Sequence, residues 1–161
     1  MHEQIKCDLD AYIRSYFQIE KKDIRSYSPL ALAYIGDGIY ELVIRTMIVR
    51  QGNRQVQKLH RDTSRLVKAQ AQSEMMETLL PLLSKEEADI YRRGRNAKSF
   101  TTAKNASVND YRRATGFEAL MGYLYLQGEM ERLMDLVKAA AEQYQPAEHA
   151  GTETRNLNHS V

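Results

Sequence analysis

Two carboxylates stand where a carboxylate is expensive. Asp37 interrupts the apolar run SPLALAYIGDGIYELVIR, and Glu118 interrupts DYRRATGFEALMGYLYLQG. At helical spacing, Leu30, Ala33, Tyr34, Asp37, Tyr40, Glu41 and Ile44 share one broad face. Thr115, Glu118, Met121, Gly122 and Tyr125 share another. A buried acid without a partner is strongly destabilising, so each needs a counter-charge. Taken alone, either acid is served equally well by an arginine on a neighbouring helix. Taken together, acids from two facing helices can hold a hard divalent cation, usually magnesium, which needs only one or two protein carboxylates. Such an ion polarises a phosphate and acidifies a bound water. The chemistry implied is phosphodiester hydrolysis.

A phosphate substrate calls for cations, and the distribution of charge supplies them. The net charge is only +2. Between Arg45 and Gln70, however, lie seven Lys/Arg and one acid, and between Tyr91 and Arg113 lie seven more and one acid. Arg92, Arg93, Arg95, Lys98, Lys104, Arg112 and Arg113 flank or occupy the segment before the Glu118 helix. They are the candidate nucleic-acid contacts, with Asn96 and Asn105 as weaker additions. Arg54, Lys58, Arg61, Arg65 and Lys68 recur at helical spacing and read as a solvated face. Glu41 lies one turn from Asp37 and one from Arg45, its expected partner, and His60 has no cluster of ligating neighbours.

The elements that must position these groups are helical. The 161 residues suffice for one domain with a real core. Glycine and proline number 8 and 3, and no alternating segment is long enough for a strand. The fold class is all-α. Helices are expected over 3–17, with Ile5, Leu9, Tyr12, Ile13 and Tyr16 on one face, and over 29–50, capped by Ser28 with Pro29 in the first turn. Others are expected over 53–80 with a break near 69–71, over 84–93 behind the capping box Ser84-Lys85-Glu86-Glu87, over 109–126 and over 129–144. Gly36 and Gly38 suggest close approach of another backbone or a ligand, and Gly116 and Gly122 keep the second acidic surface low. Residues 95–107 read as a loop. The domain is expected to span 1–144, and 145–161 to be a disordered tail. A single cysteine, Cys7, excludes a disulfide framework or a multi-cysteine zinc site. With no signal-peptide pattern and no long apolar run, the cytoplasm is the expected location.

At the two acidic helices the sequence resembles the ribonuclease III catalytic domain. The family's L-E-F-L-G-D-[AS] signature is matched by Leu32-Ala33-Tyr34-Ile35-Gly36-Asp37-Gly38, and its second acidic motif by residues 114–126. The strings SPLALAYIGDGIYELVIR, YRRGRNAK and YRRATGFEALMGYLYLQG resemble the short bacterial branch, Mini-ribonuclease III, which consists of the catalytic domain alone. Of four family carboxylate positions, two are occupied here by Ala33 and Thr115, leaving Asp37 and Glu118. Thr115, one turn before Glu118, could orient water at the ion. The resemblance implies a homodimeric, magnesium-dependent endoribonuclease acting on double-stranded RNA and leaving 5′-phosphate and 3′-hydroxyl ends. It also implies precursor 23S ribosomal RNA as substrate, ribosomal protein L3 as an associate, and a dimer built through the signature helix. Tyr34, Ile35 and Ile39 are candidates for that interface, with the chain's own core as the equal alternative. The rival reading is a non-catalytic RNA- or ribosome-binding protein on the same fold, favoured by the two missing carboxylates.

Overall fold

A computed structural model describes residues 8–98 and 107–144. Cys7, Lys104, Asn105 and residues 145–161 lie outside them. The described chain is helical, with seven α-helices among these residues: α1 Leu9–Phe17, α2 Pro29–Val49, α3 Val56–Val67, α4 Ala69–Leu79, α5 Lys85–Asn96, α6 Val108–Leu126 and α7 Met130–Gln143. Two short 3-10 turns lie at Ile24–Ser26 and Leu80–Leu82. Helix α6 runs through the centre, with α2, α5, α4 and α7 packed around it. Ten of its residues are buried, among them Phe117, Leu120, Met121 and Leu124, so it has almost no polar face. No helix among the described residues is long and apolar enough to cross a membrane.

The helix starts follow the local chemistry of the sequence. Ser28 accepts from the Ala31 N–H at 3.1 Å, with Pro29 in the first turn. Ser84 and Glu87 close a reciprocal capping box. Arg132 of α7 grips both Glu87 carboxylate oxygens at 2.9 Å and the Leu82 carbonyl at 2.7 Å. This ties α7 to the start of α5 and holds the Glu87 carboxyl below its ordinary range.

Several expected boundaries shift. Helix α5 continues through Asn96, so the segment read as loop from residue 95 begins two residues later. Helix α3 starts at Val56 rather than Asn53, with no side-chain hydrogen bond at its N-cap Gln55. Its break falls at Lys68, where the backbone is extended (φ −65°, ψ 152°). The carbonyls freed by that break are taken up from inside: the Tyr40 hydroxyl donates to Leu66 at 2.7 Å, and Gln72 Nε2 donates to Val67 at 3.0 Å. Helix α1 has no buried residue, and Tyr12 and Tyr16 on its apolar face are largely exposed. On α2 the buried stripe runs through Leu32, Ala33, Gly36, Ile39, Tyr40, Val43, Ile44 and Ile48. Leu30 and Tyr34, grouped by their spacing on one face with Ala33, Tyr40 and Ile44, are exposed while those three are buried.

The α2–α6 crossing is set by two glycines. A Cβ at Gly36 would collide with the Glu118 carbonyl, and a Cβ at Gly122 with the Leu32 carbonyl. The two backbones are in contact, with no side chain between them. Gly38 differs: a Cβ there meets nothing within 4 Å, so its glycine is not a packing requirement.

This contrast gives a stability test. Gly36→Ala or Gly122→Ala forces the central helices apart, with an expected loss of about 3 kcal/mol or more. Gly38→Ala is expected to stabilise by about 0.5–1 kcal/mol, since alanine is the better helix former. Urea denaturation of the three variants checks both signs.

Candidate active site

The site is built at the glycine crossing. Asp37 follows Gly36 on α2, and Glu118 is the residue whose carbonyl meets Gly36 on α6. The backbone contact therefore delivers both acids to one place. Asp37 is exposed and Glu118 is half-buried. Burial, then the negative charge of Asp37, pushes the Glu118 carboxyl up to about 8, while a hydrogen bond from the Gln72 side chain pulls the other way. Burial, then the charge of Glu41, raises Asp37 as well.

No basic side chain among the described residues forms an ion pair with either acid. The arginine-paired alternative is therefore not what the fold builds. Two crowded carboxylates without a counter-cation are what a divalent ion would relieve. Glu41 is taken by Arg45 at 2.8 Å, as its spacing predicts. No group of three or more His, Cys, Asp or Glu among the described residues is arranged to hold an ion. The donor set is thus a pair of acids, which suits an ion that keeps most of its water.

Thr115 is buried, and its hydroxyl donates to the Tyr111 carbonyl at 2.9 Å. Its proton is committed within the helix, so only its oxygen lone pairs remain for water. Ala33, at the position of a missing acid, is buried in the core.

Gly94 of α5 lies directly on Thr115, Gly116 and Ala119 of α6. The last turns of α5 therefore run beside the turn that carries Glu118. Arg92 and Arg93 are exposed there, as is Lys98 just past the helix. Arg92 pairs with Asp89. Arg95 lies 5.8 Å over the Tyr91 ring, and its Nε donates to Asn96. Arg112 is exposed on α6, and Arg113 reaches Glu77 at 3.6 Å. Both precede Glu118 by roughly 7–9 Å along the axis. The second basic row remains on the outer face of α3: Lys58, Arg61, Arg65 and Lys68 are exposed, and Arg54 is held by Asp62 at 2.6 Å. His60 is exposed on the same helix.

The interface candidates separate. Tyr34 is 84% exposed, whereas Ile39 is buried in the chain's own core and Ile35 is half-buried against it. Ile39 is therefore unavailable as an interface residue. The sequence reading missed Gln72, a fully buried amide on α4 that donates to the Val67 carbonyl at 3.0 Å and whose charge-favouring influence reaches the Glu118 carboxyl. Its signal was a polar residue on the stripe shared with Met76 and Leu79. The same kind of interruption marked Asp37 and Glu118.

Comparison with known proteins gives this arrangement its class. Residues 30–129 match the ribonuclease III domain, a span that contains both acids and the helices carrying them. The Mini-ribonuclease 3 of Thermoanaerobacter sp. (strain X514) is 53% identical over 124 residues, covering 77% of this chain and 87% of that protein. That of Clostridium tetani (strain Massachusetts / E88) is 47% identical over 137 residues, covering 83% and 91%. A crystal structure of a Fusobacterium nucleatum protein superposes with a TM-score of 0.68 at 32% identity, covering 75% of this chain and 97% of that one. The chain belongs to the ribonuclease III family, in its Mini-ribonuclease III branch.

The acid pair sets a pH dependence. Glu118 has an ordinary value of 4.5 and is raised to about 8 in the folded chain. Between those values the native state binds more protons than the unfolded one. In metal-free protein its contribution to stability therefore falls as pH rises through that window. Glu118→Gln, which removes the repulsion, is expected to raise the metal-free melting temperature at pH 8 by about 4 °C, as ~1 kcal/mol would. The gain should vanish near pH 4. Calorimetry across pH reads both.

Proposed function

We propose that this ribonuclease III family protein hydrolyses double-stranded RNA, with a divalent cation, magnesium in the cell, held by Asp37 and Glu118. The carrying observation is the pair itself: acids on two helices locked backbone to backbone, with Glu118 pushed up to about 8 and neither acid paired to a basic side chain among the described residues. When bound, the ion supplies positive charge at the scissile phosphate and lowers the pKa of water. Asp37 and Glu118 bind it from opposite helices. Deprotonating Glu118 is part of that binding, so affinity rises with pH toward 8. The Thr115 oxygen, on the same face of α6, would accept a hydrogen bond from water at the ion. The end of α5 supports the duplex through phosphate contacts from Arg92, Arg93, Arg95 and Lys98, joined by Arg112 and Arg113 from α6. Lys104, in the segment between them, belongs to the same proposal. Duplex RNA is read by shape, phosphate and 2′-hydroxyl contacts, and such a surface suits it.

A homodimer would present two such sites to the two strands, each cut leaving 5′-phosphate and 3′-hydroxyl ends. The exposed Tyr34 ring beside exposed Leu30 on α2 is the apolar surface a second copy would cover. By family resemblance the cellular substrate is precursor 23S ribosomal RNA, with ribosomal protein L3 as an associate and the cytoplasm as location.

Gel analysis of a long RNA duplex, with and without magnesium, is the direct test. Asp37→Asn and Glu118→Gln should each lose cleavage by at least about 100-fold while binding duplex with near-normal affinity in the absence of metal. Cleavage that survives Asp37→Asn rejects the assignment, and duplex binding without any cleavage by the native chain favours the non-catalytic reading. Replacing Arg93, Arg95 and Lys98 with glutamine should flatten the dependence of log affinity on log salt by roughly 1 for each phosphate contact removed. An unchanged slope would move the RNA surface elsewhere.

A further inference from the structure

Lys68 stands at the break between two helices. Its backbone is extended, and it is at once the C-cap of α3 and the N-cap of α4. Serine, aspartate or asparagine there would accept hydrogen bonds from the first amides of α4, whereas the lysine makes no side-chain cap bond. The helix fields do not favour it either, since the end of α3 attracts a cation and the start of α4 repels one. The side chain is exposed and forms no ion pair with an acid among the described residues. Neither capping nor packing at the break calls for a lysine.

The break lies beside the acid site. Asp37 and Tyr40 are three residues apart on α2 and so share one side of that helix. There the Tyr40 hydroxyl donates to the Leu66 carbonyl at 2.7 Å and lies 3.5 Å from Met75 Sδ of α4. The Tyr40 ring packs on Phe117, the residue before Glu118, with centroids 4.8 Å apart. The end of α3 and the start of α4 are thus held against the stretch of α2 and α6 that carries both acids. Lys68, two residues past Leu66, has a flexible four-carbon stem on which to bring its charge there.

Two carboxylates and a divalent ion sum to zero charge. A phosphodiester brings one negative charge and gains a second as the nucleophile attacks, so a cation aimed at that phosphate is what the acid pair lacks. We propose that Lys68 is a catalytic cation of the acid site: from the α3–α4 break its ammonium donates to a non-bridging oxygen of the phosphate under attack and balances the charge that develops there. The inference rests on the reading of Asp37 and Glu118 as the ion site of a duplex ribonuclease. It sets Lys68 apart from Lys58 and Arg61, which lie roughly 10–15 Å farther back along α3.

The test is single-turnover cleavage of a long RNA duplex by the full chain, with magnesium and protein both saturating. Lys68→Gln should cleave about 100-fold or more slowly than the native protein. Lys68→Arg, which keeps the charge, should recover most of the lost rate. Arg61→Gln, from the same exposed row, should cleave at the native rate at saturation. Titration calorimetry with manganese should find the native affinity in Lys68→Gln, because the lysine acts on the phosphate and not on the ion. Melting curves should coincide for all three variants, since both side chains are exposed. Native-rate cleavage by Lys68→Gln overturns the proposal, as does an equal loss in Arg61→Gln or a loss of manganese affinity that accounts for the slower cleavage. A native chain that cuts no duplex would instead bring down the acid-pair reading, and this inference with it.

Discussion

The contact on which the structure depends is a backbone-to-backbone crossing. Gly36 of α2 rests on the Glu118 carbonyl of α6, and Gly122 of α6 rests on the Leu32 carbonyl of α2. Side chains at these positions would hold the helices apart, since their Cβ atoms would overlap backbone oxygens. Removing them lets the residues beside the glycines meet, and those residues are acids. The crossing thus serves packing and chemistry at once. It also explains how an acid comes to be half-buried with no basic side chain among the described residues paired to it: its place is fixed by apolar burial along both helices, which outweighs the local repulsion.

The remaining helices support that crossing from three sides. Tyr40 packs edge-on against Phe117 at 4.8 Å, locking α2 to α6 one turn from the acids, and its hydroxyl secures the end of α3. On the other side of α6, Gly94 lets α5 pack directly on Thr115, Gly116 and Ala119, beside the turn that carries Glu118. Arg132 and Glu87 pin the far end of α5 to α7. The cationic surface is thereby carried on a braced helix whose opposite end is fixed by a charge-assisted pair.

Much of the site was legible because acids and glycines on apolar helices are conspicuous. Asp37 and Glu118 stood out from their neighbours, the Glu41–Arg45 pair followed from spacing, and the Ser28 and Ser84 caps followed from side-chain chemistry. Other features misled for a common reason: periodicity says that a residue is apolar, not what lies opposite it. Tyr34 and Ile39 are both apolar residues of one helix, yet one faces outward and the other fills the core. Gly36 and Gly38 read alike, yet only Gly36 has a neighbouring backbone against it.

By itself the sequence determined the all-helical class, the caps, the two acids and the clustering of basic residues, because each depends on neighbours within a few positions along the chain. Tertiary structure alone decided that the two acids come together at the glycine crossing and that no basic side chain among the described residues pairs with either. Those outcomes depend on which faces of distant helices touch, and on how closely, and here the closeness was set by the absence of a single carbon at Gly36 and at Gly122.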